Sequence, residues 1–115
     1  MVKKSAEIPA AIQEKARGGD GSVSMFNFVS EEEALGKGRL FGKAVLEPGS
    51  SIGYHAHEGE FEIYYILKGK ALLNDNGREI VLEAGDSSIC RNGESHSISN
   101  IGNDVMEFIA IILYA

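Results

Sequence analysis

Residues 55–68 read HAHEGEFEIYYILK, and the second half of this stretch alternates with the period of a β-strand. From residue 60 to residue 68, every second side chain lies on the same face of an extended chain. One face carries only large apolar side chains, namely Phe61, Ile63, Tyr65 and Leu67. The other face carries Glu60, Glu62, Tyr64 and Ile66. The pattern predicts a strand over 60–68, with Glu62 on the face opposite this apolar stripe.

Glycines recur on both sides of the strand at intervals of eight to ten residues, at Gly49, Gly59, Gly69, Gly77, Gly85, Gly93 and Gly102. Turn signals at this spacing, with no helical period between them, are typical of an all-β sandwich or barrel. An Asn-Gly pair within 74–77 predicts a hairpin turn. Further strands are predicted over 22–29, 39–47, 94–100 and 105–113, and one more is predicted to carry His55 and His57.

The N-terminal region has a different pattern from the rest of the chain. Residues 8–17 are predicted to form a helix that ends at Gly18-Gly19. Residues 30–33 (SEEE) fit a helix-capping box, with Gly36 as a stop. The glycine-rich stretch 18–21 is interpreted as a linker. We therefore expect an N-terminal arm and linker over 1–21, followed by a single barrel domain over 22–115.

Composition excludes several functional classes. Hydrophobic residues make up 43% and charged residues 24% of the chain, which is ordinary for a globular domain. A net charge of −6 disfavours nucleic-acid binding through phosphate neutralisation. No membrane association is expected, because the longest apolar run, 108–115, is too short to span a bilayer. No signal peptide is predicted either, since no apolar run follows the N-terminal lysines. The single cysteine, Cys90, allows no internal disulfide, and a reducing cytoplasm is expected.

The three histidines are predicted to share the inward face of the barrel with Glu62. His55 and His57 are two residues apart on a strand, and His96 alternates with serines that would face water. Three imidazoles and a carboxylate inside an apolar barrel are costly unless they are paired. A divalent cation would satisfy all four groups, and a metal-free buried polar network is the alternative.

Two sequence motifs carry a resemblance to a known family. The first, G-x5-H-x-H-x4-E-x6-G, is met by Gly49, His55, His57, Glu62 and Gly69. The second, G-x5-P-x-G-x2-H-x3-N, is met by Gly85, Gly93, His96 and Asn100. The chain over 22–115 therefore resembles the cupin superfamily, whose members are small jelly-roll β-barrels. One position departs, because Arg91 stands where the family has a turn-shaping proline.

The resemblance implies a metal centre made of His55, His57, Glu62 and His96. Manganese or iron is the usual ion, and zinc, nickel or cobalt is compatible with the same ligands. The chain is most similar to small single-domain bacterial cupins, some of them labelled oxalate-decarboxylase-like. Oxalate decarboxylases hold their carboxylate with an arginine just before the first metal histidine, and residues 51–54 (SIGY) contain none. Another cation would have to bind such a ligand, and the candidates are Arg39, Lys43 and Arg91.

Two more residues on the inward face are candidates for proton transfer. Glu60 would act as a general base or support a metal ligand, or it is a solvated residue at the strand start. Tyr64 would lend its hydroxyl to the pocket or fill the barrel as an ordinary aromatic. The expected function is to bind or convert a small carboxylate or hydroxylated metabolite that chelates the metal, by decarboxylase, isomerase or dioxygenase chemistry. The alternative is a non-catalytic module that binds or senses a metabolite.

The apolar stripe faces outward if Glu62 faces the metal. An exposed patch of four large apolar side chains implies a partner or a covering segment. A second copy of the chain in a symmetric homodimer is the favoured partner, and the N-terminal arm is the alternative cover.

Overall fold

Ten strands and two short 3-10 turns make up the computed structural model, which describes residues 1–115. The turns cover Ser5–Glu7 and Ala16–Gly18. The strands are β1 (Ala10–Glu14), β2 (Ser22–Asn27), β3 (Gly38–Leu46), β4 (Ser51–Ala56), β5 (Glu60–Lys68), β6 (Lys70–Asp75), β7 (Arg78–Glu83), β8 (Ser87–Cys90), β9 (Ser95–Asn100) and β10 (Met106–Tyr114). No helix is long and apolar enough to cross a membrane. The all-β prediction is confirmed.

The strands form two sheets whose inner faces build one core. The six-stranded sheet has the order β1-β2-β3-β10-β5-β8, and the four-stranded sheet has the order β4-β9-β6-β7. Strands distant in sequence are therefore neighbours, as β10 is between β3 and β5, which gives the jelly-roll arrangement. Leu46, Ile66 and Phe108 from the first sheet are fully buried in one cluster with Ala71, Leu73 and Ile98 from the second.

The alternation that predicts β5 and β9 is confirmed. Strand β5 has the predicted bounds, and its residues Glu62, Tyr64 and Ile66 are buried, whereas Tyr65 and Leu67 are 46% and 43% exposed. Strand β9 buries its residues 96, 98 and 100 and leaves its serines partly exposed. The other predicted strands lie within two residues of the expected bounds. These parities direct the predicted metal ligands into the barrel.

The hairpin predicted within 74–77 connects β6 to β7. Asn76 and Gly77 both have left-handed backbone conformations, with φ of 54° and 96°. The type I′ turn favoured in two-residue hairpins requires this conformation at both central positions. The Gly77 N–H also donates to the Asn74 side-chain oxygen at 2.7 Å, which closes the turn.

The helix predicted over 8–17 is wrong. The central residues of that segment form strand β1, which pairs with β2 from Ala10 opposite Phe26 to Glu14 opposite Ser22. A helix this short has little stability of its own, so hydrogen bonding to the edge of the sheet outweighs its local propensity. The only helical pieces near the N-terminus are the two 3-10 turns.

The arm is joined to the barrel by strand β1 and by one buried side chain. Ala16, two residues before the linker, is only 4% exposed and belongs to the core cluster. The structure therefore packs the predicted arm against the barrel, while the domain boundary between residues 21 and 22 stays a prediction.

The capping box at Ser30 is present, but it closes a turn rather than a helix. The Glu33 N–H donates to the Ser30 hydroxyl oxygen at 3.0 Å, and the Ser30 N–H donates to the Glu33 carboxylate at 2.8 Å. Gly36 ends the turn with a φ of 71°, as the predicted stop requires. The chain then enters β3 without completing a helix.

Candidate metal centre

Three of the four predicted ligands lie on three different strands, and His57, predicted to lie on the strand of His55, is the residue directly after that strand. His55 on β4 is paired in register with His96 on β9, and His57 directly follows β4. Strand β5 of the other sheet brings Glu62 to the same point. The four donor atoms all lie within 4.8 Å of one another. His57, Glu62 and His96 are each less than 5% exposed, and His55 is partly buried.

Four of the separations between donor atoms are close to those around a six-coordinate ion. Atoms about 2.1 Å from one ion lie about 3.0 Å apart at the right angle of an octahedron and about 3.4 Å apart at the tetrahedral angle. His57 Nε2 lies 3.1 Å from His55 Nε2, 3.2 Å from His96 Nε2 and 3.0 Å from Glu62 Oε1. His96 Nε2 lies 2.9 Å from the same oxygen, and only His55 is farther from it, at 3.9 Å. Four protein ligands on an octahedral ion leave two positions for a ligand.

The outer nitrogens of two histidines fix which atoms point into the cluster. His55 Nδ1–H donates to the Gly53 carbonyl at 2.7 Å, and His57 Nδ1–H donates to a Glu60 oxygen at 2.5 Å. In a neutral imidazole the other nitrogen then carries a lone pair. When both rings are neutral, two lone pairs face each other across 3.1 Å, an arrangement that is repulsive unless a proton or a metal cation lies between them. The donor chemistry fits a metal ion.

Glu62 is ionised, as a metal ligand must be. Burial works to raise the pKa of the Glu62 carboxyl, but hydrogen bonds donated by the three surrounding imidazoles, when their inner nitrogens carry protons, hold that pKa below its usual range. The same carboxylate, followed by Glu60, raises the pKa of His57, so a proton on His57 is the alternative to a metal. A single proton on His57 Nε2 can form a hydrogen bond to one of its three neighbours within 3.2 Å. A metal cation instead contacts all four groups at once.

Glu60 links a metal ligand to an arginine. Its two oxygens accept hydrogen bonds from Arg39 Nε and Nη2, both at 2.7 Å, and one of them also accepts from His57 Nδ1. A bulge in the pairing of β3 with β10 leaves Arg39 without a partner residue. Bulges of this kind redirect a side chain. The Arg39 guanidinium lowers the pKa of Glu60 to about 2, with a smaller contribution from His57.

Tyr64 lies beside the cluster as a buried, protonated hydroxyl. Its ring stacks on His96 at 4.8 Å between centroids and packs edge-on against Phe108 at 4.7 Å. Burial, and after it the Glu62 carboxylate, raises the pKa of Tyr64 well above its usual value. The Tyr64 hydroxyl therefore stays protonated at neutral pH, where it can donate a hydrogen bond but is a weaker acid than an ordinary tyrosine.

A cavity of about 300 Å³ opens from the metal centre to the surface. Its walls include His55, His57, Glu62 and Tyr64 together with apolar side chains from five strands, namely Ile12, Val23, Met25, Leu40, Ile52, Ala110 and Ile112. Arg39 and Arg17 are the two cations that line it. The cavity is large enough for a small organic molecule next to the two open metal positions.

Of the three cations predicted as ligand anchors, only Arg39 lines this cavity. Lys43 lies on the other face of β3, paired with Glu107 at 3.2 Å and above the Phe26 ring. Arg91 lies on the exposed turn before β9. The backbone N–H of Arg91 donates to the Glu94 carboxylate at 2.8 Å. Proline has no N–H and could not make this bond, so a hydrogen bond closes the turn here in place of the proline ring.

Arg17 is the cavity residue that sequence reasoning missed. The glycine-rich stretch that follows it marks a turn, but the sequence carries no sign that this turn folds over the opening of the barrel. Arg17 lies on the arm, and a side chain from that arm was not expected at the metal centre.

The profile of the cupin domain matches residues 42–112, which include all four ligands. The chain belongs to the cupin family. It is 49% identical over 113 residues to the oxalate-binding protein of Thermotoga maritima, an alignment that spans 98% of this chain and 93% of that cupin. A crystal structure from Thermotoga maritima, described as a predicted oxalate decarboxylase, superposes with a TM-score of 0.96 over all of both chains at 48% identity. Ectoine synthase of P. lautus shares the fold alone, with a TM-score of 0.76 at 13% identity over 99% of this chain and 78% of that one.

Proposed function

We propose that this cupin binds a divalent transition metal and that a small carboxylate completes the coordination of the metal inside the barrel. The observation that carries the proposal is the convergence of three histidine nitrogens and the Glu62 carboxylate, whose donor atoms all lie within 4.8 Å of one another. A cavity of about 300 Å³ next to these groups provides the space for the ligand. The name of the Thermotoga relative, an oxalate-binding protein, supports a short dicarboxylate as the ligand.

Manganese or iron is the ion that we propose for this site. Three imidazole nitrogens and one carboxylate oxygen suit several first-row ions, but the donor separations favour six-coordinate over tetrahedral geometry. Zinc prefers four ligands at tetrahedral angles. When bound, the ion supplies positive charge and a Lewis acid for the ligand's carboxylate. Elemental analysis of the purified protein distinguishes these ions from zinc, nickel and cobalt.

The residues around the centre have distinct roles in this proposal. Glu60 orients His57 by accepting its Nδ1–H, and Arg39 holds Glu60 in place through two hydrogen bonds. A carboxyl with a pKa of about 2 is a weak base, so the position of Glu60 supports orientation over proton acceptance. The apolar walls exclude water, which strengthens the attraction between the metal and an anionic ligand.

Catalysis by the same site is the second candidate function. The position of the Tyr64 hydroxyl favours it, because Tyr64 lines the cavity together with Glu62, where a protonated hydroxyl can donate a hydrogen bond to a reacting ligand. Incubation with manganese-loaded protein distinguishes the two functions: a binding protein returns oxalate intact, and an enzyme consumes it. In the second case Tyr64→Phe, which removes only the hydroxyl, is expected to lose turnover and keep binding.

Oxalate is expected to stabilise the metal-loaded protein and to leave the metal-free protein unchanged. At a free concentration of about 100 times its dissociation constant, a ligand of the native state adds about 2.7 kcal/mol, which corresponds to a rise of about 10 °C in Tm for a domain of this size. Thermal unfolding of manganese-loaded and chelator-treated protein measures the difference. Metal content after the scan is the control, because oxalate also binds free manganese. Equal shifts in both forms, or none in the loaded form, would contradict the proposal.

We also propose that the protein is a homodimer that pairs through the outer face of its six-stranded sheet. Cross-strand neighbours place Phe41, Ile111, Ile63 and Ile89 in one row across that face. The next row pairs Ile109 with Tyr65. Strand β1 lies at the opposite edge from β8, and Tyr65 and Leu67 remain exposed, so the arm does not cover the apolar stripe. A second copy would cover it by two-fold symmetry.

Tyr65→Asp is expected to convert the dimer into a monomer because it places a charge at the centre of the apolar face. Light scattering after size exclusion measures the mass, with the wild type expected at twice the chain mass. Val81→Asp is the matched control, since Val81 is 47% exposed on the other sheet and Tyr65 is 46% exposed. A wild type that is monomeric at micromolar concentration contradicts the dimer, and a Tyr65→Asp protein that remains dimeric contradicts this interface.

A further inference from the structure

The segment from Lys15 to Gly21, which we name the elbow, has an unusual backbone at the opening of the cavity. Lys15 and Arg17 both have left-handed conformations, with φ of 48° and 53°. Residues other than glycine rarely adopt this region, and long side chains have no intrinsic preference for it. Such conformations persist where the surrounding structure fixes them, and they cluster at ligand sites.

The elbow is fixed by close contacts with strand β4. The Ser51 N–H donates to the Asp20 carbonyl at 2.9 Å, and the Asp20 N–H donates to the Ser51 hydroxyl at 2.8 Å. The Arg17 carbonyl lies so close to Gly53 that a Cβ on this glycine would be 2.1 Å from the Arg17 oxygen. The carbonyl of Gly53 in turn accepts the Nδ1–H of His55. One glycine therefore contacts both the elbow and a residue of the metal centre.

Arg17 is the one cation of the cavity that has no partner. Arg17 is an exposed residue that lines the cavity with His55, His57 and Glu62, and it forms no ion pair or side-chain hydrogen bond. Arg39, the other cation, is held by both oxygens of Glu60.

We propose that Arg17 binds the carboxylate oxygens of the ligand that point away from the metal centre, and that it thereby selects short dicarboxylate dianions over monocarboxylates. The inference rests on the proposed function and adds a residue and a substrate class to it. A guanidinium presents two parallel N–H groups that match the two oxygens of a carboxylate. A monocarboxylate of the same size leaves Arg17 without its anionic partner.

Arg17→Asn tests the proposal with a side chain that tolerates the left-handed conformation. Calorimetric titration of manganese-loaded protein compares oxalate with oxamate, which has the same shape but replaces one carboxylate with an amide. We expect oxalate affinity to fall about 10- to 100-fold, the range of a lost charge-assisted hydrogen bond, and oxamate affinity to change less than about threefold. Metal content and the ligand-free Tm are measured in parallel.

Lys15→Asn is the matched control, because it removes a cation from the other left-handed residue of the elbow, which does not line the cavity. Unchanged oxalate binding in this variant supports the proposal. An equal loss in both variants overturns it, as does an equal loss for oxamate and oxalate in Arg17→Asn. If Arg17→Asn does not fold, Arg17→Lys replaces it as the test. This variant keeps the charge but not the paired N–H groups, so its oxalate affinity is expected to fall by a smaller factor. Unchanged oxalate affinity in Arg17→Lys overturns the proposal. If the wild type and Arg17→Asn bind oxalate equally, this inference is wrong and the proposed function is unaffected. If the wild type binds neither oxalate nor oxamate, the proposed function is wrong as well.

Discussion

Purified His96→Ala protein is expected to contain no bound transition metal, whereas the wild type contains close to one ion per chain. His96 Nε2 lies 2.9 Å from Glu62 Oε1 and 3.2 Å from His57 Nε2, so its removal opens the cluster on the β9 side. The ligands that remain are two histidines with fixed outer hydrogen bonds and one carboxylate. Elemental analysis after dialysis measures the ratio of metal to protein, and the expected loss of affinity exceeds about 100-fold.

Two further variants separate loss of a ligand from a general disturbance of the site. Ser97→Ala changes the neighbouring residue on β9, whose side chain points away from the cluster, and is expected to keep the full metal content. Glu60→Gln keeps all four ligands but weakens the support of His57, and is expected to lower metal affinity about 10- to 100-fold. Retention of the metal by His96→Ala would show that the ion does not occupy this cluster.

Two members of the ligand set, Glu62 and His96, could be predicted from strand parity alone. Glu62 alternates with the apolar stripe, and His96 alternates with serines, so both had to face the interior once the strands were assigned. The motif spacing then placed His55 and His57 opposite them. A period of two leaves no freedom in the side to which a residue points.

The contacts made by Glu60 could not be predicted, because they depend on a register that no local pattern encodes. Arg39 and Glu60 are on strands separated by β10, and a bulge in the pairing of β3 with β10 directs the guanidinium to the carboxylate. The sequence pattern places Glu60 on the inward face of its strand but does not identify the residue that binds its carboxylate. Alternation gives the face of a residue, whereas a bulge changes the direction of one side chain.

The arm was misassigned because its structure is imposed by its neighbour. Residues 10–14 have no strand pattern of their own, and all five are exposed. They become β1 because β2 offers an unpaired edge. Arg17 was missed for a related reason: its place at the cavity follows from close contacts between the elbow and β4, which involve backbone atoms and two glycines, Gly19 and Gly53.

Asn100→Leu is expected to lower the free energy of unfolding of the metal-free protein by about 3 kcal/mol. The side chain of Asn100 is 3% exposed and makes three hydrogen bonds of 2.9 Å: its amide donates to the carbonyls of Leu46 and Asp104, and its oxygen accepts from the Gly102 N–H. Leucine keeps a similar volume but leaves three backbone groups without their partner, one of them in a buried hydrogen bond and two in partly buried ones. Urea denaturation of chelator-treated protein measures the change.

Asn92→Leu is the control for this prediction, because Asn92 also accepts a backbone N–H, that of Gly59, but does so on an exposed turn where water replaces the lost bond. Its expected cost is below about 1 kcal/mol. The comparison decides why the second motif ends in asparagine. Asn100 donates no group to the metal centre, so a stability loss with unchanged metal affinity assigns it to the connection between β9 and β10. An Asn100→Leu protein as stable as the wild type, but unable to hold the metal, would instead place this residue among those that shape the site.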